Sequence, residues 1–204
     1  MRPKCNPIDD YMVFEEPIYN QYGEAVVANV FNKDGSIKVE VFLSDYLIQN
    51  SNHRFMYFSA DEKHYLTESY VVISSWFYEQ LCQNEFLWSL VWHEIGHFHS
   101  IPYTLDTTEK DVPEQRYEAI KKGEVMLDEQ IADLFVVWAA GKENMIKALK
   151  WSRRSFNDTF IWDEERKQLG LLEYYNRIQL AKQTDEETVL EKFTQLVNKH
   201  RLFN

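Results

Sequence analysis

The spacing of apolar residues changes character near residue 74. Before that point apolar residues come in short runs rich in β-branched side chains. Ile37-Lys38-Val39-Glu40-Val41-Phe42-Leu43 begins with strict apolar–polar alternation, the period of a half-buried strand. Glu24 to Phe31 is rich in valine, and Asn32-Lys33-Asp34-Gly35 between the two runs predicts a hairpin, because Asp-Gly accepts positive φ. Phe55 to Phe58 and Tyr70 to Ile73 predict a third and a fourth strand of a small, mostly antiparallel sheet. Residues 1 to 20 hold Pro3, Pro7 and Pro17 among polar residues and read as an irregular arm.

Beyond Ser74 the period is helical. Ser75 is placed to cap a short helix from Trp76 to Cys82, and Asn84 to cap a long one running to about Ser100. Gly96 inside the long helix costs about 1 kcal/mol relative to alanine, which predicts a second backbone packed closely against it. Pro113 starts a further helix that runs to about Lys122, before Gly123. Leu127 to Ala140 reads as a helix closed by Gly141. Its apolar stripe is Ile131, Leu134, Phe135 and Trp138, and an adjacent face carries Glu129, Ala132, Asp133 and Val136. Three more helices are predicted, over about Glu143–Arg154, Glu164–Leu180 and Asp185–His200. Thr184 and Glu187 have capping-box spacing before the last of them, and Val189, Phe193, Leu196 and Val197 form its docking stripe. The pattern therefore predicts a single α+β domain: an arm over 1–20, a β-rich part over about 21–73 and a helical part over about 74–204.

Composition narrows the function classes. Aromatic residues make up 15% of the 204, which suits a packed core. A formal net charge of −11 argues against a nucleic-acid partner, since phosphate binding needs clustered cations. No apolar run approaches the roughly 18–20 residues of a membrane span, and the N-terminus lacks the apolar core of a signal peptide. Two cysteines, Cys5 and Cys82, do not make a disulfide framework. These features predict a soluble cytoplasmic protein.

The chemistry concentrates in His93-Glu94-Ile95-Gly96-His97, an H-E-x-x-H arrangement behind an apolar run. Histidines four apart lie one helical turn apart on one face, so both imidazoles reach one metal ion, and Glu94 beside them is placed to take a proton from its water. A catalytic zinc site needs a third protein ligand. Glu129 is the best candidate, 32 positions beyond His97 on a separate helix. Asp133, one turn further, is placed to accept the free N–H of a zinc-bound imidazole. His99, two residues past His97, points away from such a site.

His93-Glu94-Ile95-Gly96-His97 followed by Glu129-Gln130-Ile131-Ala132-Asp133 resembles the gluzincin pattern, H-E-x-x-H then E-x-x-A-D, and within it the HtpX and CAAX-prenyl endopeptidase group. Val72-Ile73-Ser74-Ser75, Leu81 and Asn84-Glu85-Phe86-Leu87 are similar to that group's strand and cap ahead of the motif. Ala139-Ala140-Gly141 and Ala148-Leu149 are similar to its downstream helix and turn, so the resemblance covers about residues 70–150. It implies a zincin-like fold, with zinc held by His93, His97 and Glu129, Glu94 as general base and Asp133 behind a ligand. Those relatives are integral membrane proteins and this chain shows no span, so their substrates do not carry over. Glu164-Glu165-Arg166 matches the group's late glutamate-rich segment only in part. Phe160-Ile161 replaces the preceding His-Pro, so Arg166 reads more as a surface arginine than as the transition-state arginine that the resemblance would imply. The expected function is zinc-dependent hydrolysis of a peptide bond in a peptide or protein substrate. The alternative is a zincin-fold binding or regulatory protein that keeps the metal but does not turn over.

Overall fold

The computed structural model describes residues 11–19, 25–31, 37–51, 56–60, 69–100, 112–159 and 163–201. Five strands form one sheet: β1 (Tyr11–Tyr19), β2 (Ala25–Phe31), β3 (Ile37–Leu43), β4 (Met56–Ala60) and β5 (Ser69–Ile73). Their order is β1-β2-β3-β5-β4, and only the β3–β5 pair is parallel. β1 replaces part of the expected irregular arm. Proline lacks the N–H that a central strand needs, but β1 is an edge strand, and Pro17 falls between Phe14 and Ile18 where the register shifts. Pro3, Pro7 and Cys5 lie outside the described residues. So does the Asn32–Gly35 turn, although β2 and β3 on either side pair antiparallel.

Both faces of the sheet are covered. Ala28, Val30, Val39, Val41, Val71 and Ile73 join the main core under the helices. Val26, Phe42 and Val72 pack instead with Ile48 of the short helix α1 (Asp45–Gln49). Burial on two sides explains why β2 reads as a valine run and not as an alternation.

Helix α2 (Ser75–Gln83) starts one residue earlier than the sequence predicts. Ser74 Oγ accepts the N–H of Phe77 at 3.1 Å, and Asp45 Oδ1 accepts the N–H of Ser75 at 2.8 Å. Asn84 closes α2, and its side chain does not cap the turn at Glu85–Leu87. In place of one long helix, α3 (Trp88–Gly96) lies between 3-10 turns at Glu85–Leu87 and His97–Ser100. Such tighter turns satisfy end groups that a short, buried helix leaves open.

The helical part continues with α4 (Val112–Lys121), α5 (Leu127–Ala140), α6 (Lys142–Thr159), α7 (Glu164–Gln183) and α8 (Val189–Arg201). Gly141 ends α5 at φ 86°, as its position predicted. Val189, Phe193 and Val197 of α8 are buried in the main core, with Leu196 partly buried against it. The Thr184–Glu187 capping box does not form. Thr184 instead closes α7, its Oγ1 donating to Leu180 O at 2.8 Å, while Asp185 Oδ1 accepts the N–H of Glu187 at 3.0 Å. Among the described residues no helix is long and apolar enough to cross a membrane.

Helix α3 crosses α5 at Gly96. A Cβ at residue 96 would stand 2.9 Å from Ala132 Cα and 3.1 Å from its carbonyl oxygen, so the two backbones are in direct contact. Helix propensity alone favours Gly96→Ala by about 1 kcal/mol. Overpacking against a backbone that cannot swing aside costs about 1–3 kcal/mol. We expect the clash to win and the urea unfolding midpoint of Gly96→Ala to fall; a raised midpoint would mean that the two helices separate freely.

Candidate metal centre

His93 and His97 project from one face of α3 and its closing turn. His97 keeps right-handed helical angles (φ −61°, ψ −22°), so the four-residue step still stacks the two rings. Their Nε2 atoms lie 3.1 Å apart, and Glu129 Oε2 lies 3.3 Å from His93 Nε2. Donor atoms from all three residues fall within 4.8 Å of one another. Two ligands at 2.0–2.1 Å from a tetrahedral ion are about 3.4 Å apart, so the triad is already spaced for one. Glu129 stands in the first turn of α5, where the helix dipole favours a carboxylate.

Asp133 is buried behind the triad. Its Oδ1 accepts from His93 Nδ1 at 2.9 Å, which turns the other ring nitrogen, Nε2, toward His97 and Glu129. Two arginines that the sequence did not single out complete the cluster. Arg177 of α7 donates from Nε and Nη2 to the two oxygens of Asp133 at 2.9 and 2.7 Å, and its Nη1 comes within 2.9 Å of Glu129 Oε2. Arg116 of α4 donates from Nη2 to Glu129 Oε1 at 3.3 Å and to Glu173 Oε1 at 2.6 Å.

One atom tests whether the residues fit a cation. Glu129 Oε2 is buried yet accepts no hydrogen bond from any described residue, because Arg177 Nη1 is near it without an N–H aimed at it. A buried carboxylate oxygen with unspent lone pairs, beside two imidazole nitrogens, is a donor set that zinc accepts. His93, His97 and Glu129 would hold the ion, and Asp133 would fix the orientation of His93.

Electrostatics point the same way. Burial works against an ionised Glu129, but Arg177, His93 and His97 outweigh it and hold its carboxyl well below the usual range. Burial opposes ionisation of Asp133 too, and Arg177 and His93 likewise keep it charged. Burial and Arg177 disfavour a charged His93, yet the carboxylates of Asp133 and Glu129 beside it prevail and raise its pKa to about 9. Burial and the neighbouring His93 charge lower that of His97. These shifts place the positive charge of the imidazole pair on His93 and leave His97 neutral.

The triad opens into a cleft of about 420 Å³, within the usual range for a ligand site. Glu94 is on its wall, as are Met56 of the edge strand β4 and an apolar side made by Leu149, Phe156 and Tyr174. Gly170 of α7 makes room for the Phe156 ring, since a Cβ there would stand 2.5 Å from Phe156 Cζ. His99 faces elsewhere, buried among aromatic rings with Phe135 and Phe193 centroids each 5.3 Å away. Arg166 lies at the surface beside Asp163, its side chain 69% exposed.

No family model, no curated protein and no solved structure matches this chain. The chemistry of the cluster itself is what bears on function.

The cluster makes metal binding a proton-releasing event. Ligation must strip the proton from His93, so apparent metal affinity should rise with pH and level off above about 9. At pH 7 about one proton should be released per ion bound, measurable by calorimetry in buffers of different ionisation enthalpy. Binding without proton release would show that His93 is not a ligand. Arg177→Met leaves Asp133 buried without its guanidinium partner, and we expect it to cost the metal-free protein about 3–5 kcal/mol in urea unfolding.

Proposed function

We propose that this chain is a metal-dependent peptide hydrolase with a zincin-like site. Zinc is the cation that two imidazoles and one carboxylate suit best. The observation that carries the reading is the convergence of His93, His97 and the unbonded Oε2 of Glu129 at the floor of an open cleft, with Glu94 on its wall. Zinc bound there supplies Lewis acidity, polarising a carbonyl and lowering the pKa of water toward 7.

The chain's own residues do the rest. Glu94, next to His93 in sequence, takes the proton of the attacking water and returns it to the leaving amine nitrogen. Asp133 keeps the His93 ring in one tautomer, and Arg177 keeps Asp133 ionised in a buried setting. β4 is the outermost strand beyond β5, and its Met56 reaches the cleft. An extended peptide added along β4 by main-chain hydrogen bonds would run past the metal, with the apolar wall receiving its side chains.

We expect Glu94→Gln to retain one metal ion per chain by elemental analysis while losing cleavage of a broad peptide library, by a factor of about 100 or more. Wild-type turnover in that variant would overturn the mechanism. A wild-type protein that binds zinc and cleaves nothing in the library would favour the non-catalytic binding role.

A further inference from the structure

The two arginines of the cluster differ in how their donors are used. Arg177 is buried, and all three of its nitrogens lie against Asp133 or Glu129. Arg116 is engaged through Nη2 alone, toward Glu129 Oε1 and Glu173 Oε1. Its Nε and Nη1 bond to no described residue, its side chain is 35% exposed, and it lines the same cleft as His93, Glu94 and His97. Arg116 thus presents unspent N–H donors beside the metal ligands, held in place by two carboxylates.

We infer that Arg116 is a catalytic residue that binds the carbonyl oxygen of the scissile bond as that oxygen becomes negative, an inference that rests on the peptide-hydrolase reading above. When the water oxygen bonds to the carbonyl carbon, its proton passes to Glu94 and the carbonyl π pair moves onto oxygen. That oxygen then carries a full negative charge in a cleft that already holds Glu94, Glu129 and Glu173. When the pair re-forms the carbonyl, the C–N bond breaks and Glu94 gives its proton to the amine nitrogen. A positive group already in place lowers the energy of the charged stage, because no donor has to reorganise during the reaction. Arg177 is less suited, since it is buried with Nε and Nη2 bound to Asp133 and Nη1 lying against Glu129 Oε2.

The test uses phenylphosphonate, a tetrahedral oxyanion, titrated into the zinc-loaded full chain. Arg116→Lys keeps a cation to brace Glu129 and Glu173 but removes the outward donors. We expect full metal occupancy, phosphonate affinity reduced about tenfold or more, and kcat on library peptides reduced about 100-fold with KM little changed. Glu173→Gln works in the opposite direction: it removes the negative charge of the 2.6 Å partner of Arg116 and should tighten phosphonate binding. The titration needs no turnover, and Glu94→Gln should bind phosphonate at least as well as wild type. If the zinc-loaded wild type cleaves no library peptide, the hydrolase reading fails, while the titration alone decides whether Arg116 receives anions. Equal phosphonate affinity in wild type and Arg116→Lys, or weaker binding in Glu173→Gln, would reduce Arg116 to a brace between α4, α5 and α7.

Discussion

The contact between Gly96 and Ala132 sets the geometry on which the rest of the centre depends. Ordinary side chains hold helix axes about 8–10 Å apart. Here the missing side chain at 96 brings the backbone of α3 onto that of α5. Gly96 sits between His93 and His97, and Ala132 sits between Glu129 and Asp133. Steps of three and four residues share a helical face, so each helix carries polar groups on either side of its own crossing point. The small residues at the crossing and the acid–imidazole pairs around it are therefore parts of one arrangement.

Such a cluster is not a cheap way to hold a protein together. Removing charges from water costs several kcal/mol per ion, and buried ion pairs seldom repay more than that cost. An apolar repacking of α3, α5 and α7 would serve stability as well or better. What the ionic version provides is direction: Asp133 orients His93, Arg177 fixes Asp133 through both oxygens, and each Glu129 oxygen has a guanidinium beside it. Groups oriented in advance by their neighbours are what a metal site requires.

Much of this was legible in the sequence because the signals are local. The motif spacing placed His93 and His97 on one face, the glycine inside the helix announced a close crossing, and Glu129 and Asp133 one turn apart marked the acidic face of a second helix. Gly141 announced the end of α5. The arginines were not legible. Arg177 lies 44 positions from Asp133, in a stretch that mixes Tyr174, Tyr175, Asn176 and Ile178 without a clean apolar stripe. Two buried carboxylates imply that some cation must answer them, but periodicity does not say which. β1 was hidden for another reason, since proline argues against a strand only where both neighbours are paired.

Gly170 has a consequence for the wall of the cleft. The Phe156 ring rests against α7 only because residue 170 has no methyl group, and the ring also stands 5.8 Å from that of Tyr174. Any larger residue at 170 would force the ring, which lines the cleft wall, to shift. The shape of that wall thus depends on a methyl group that the neighbouring helix lacks.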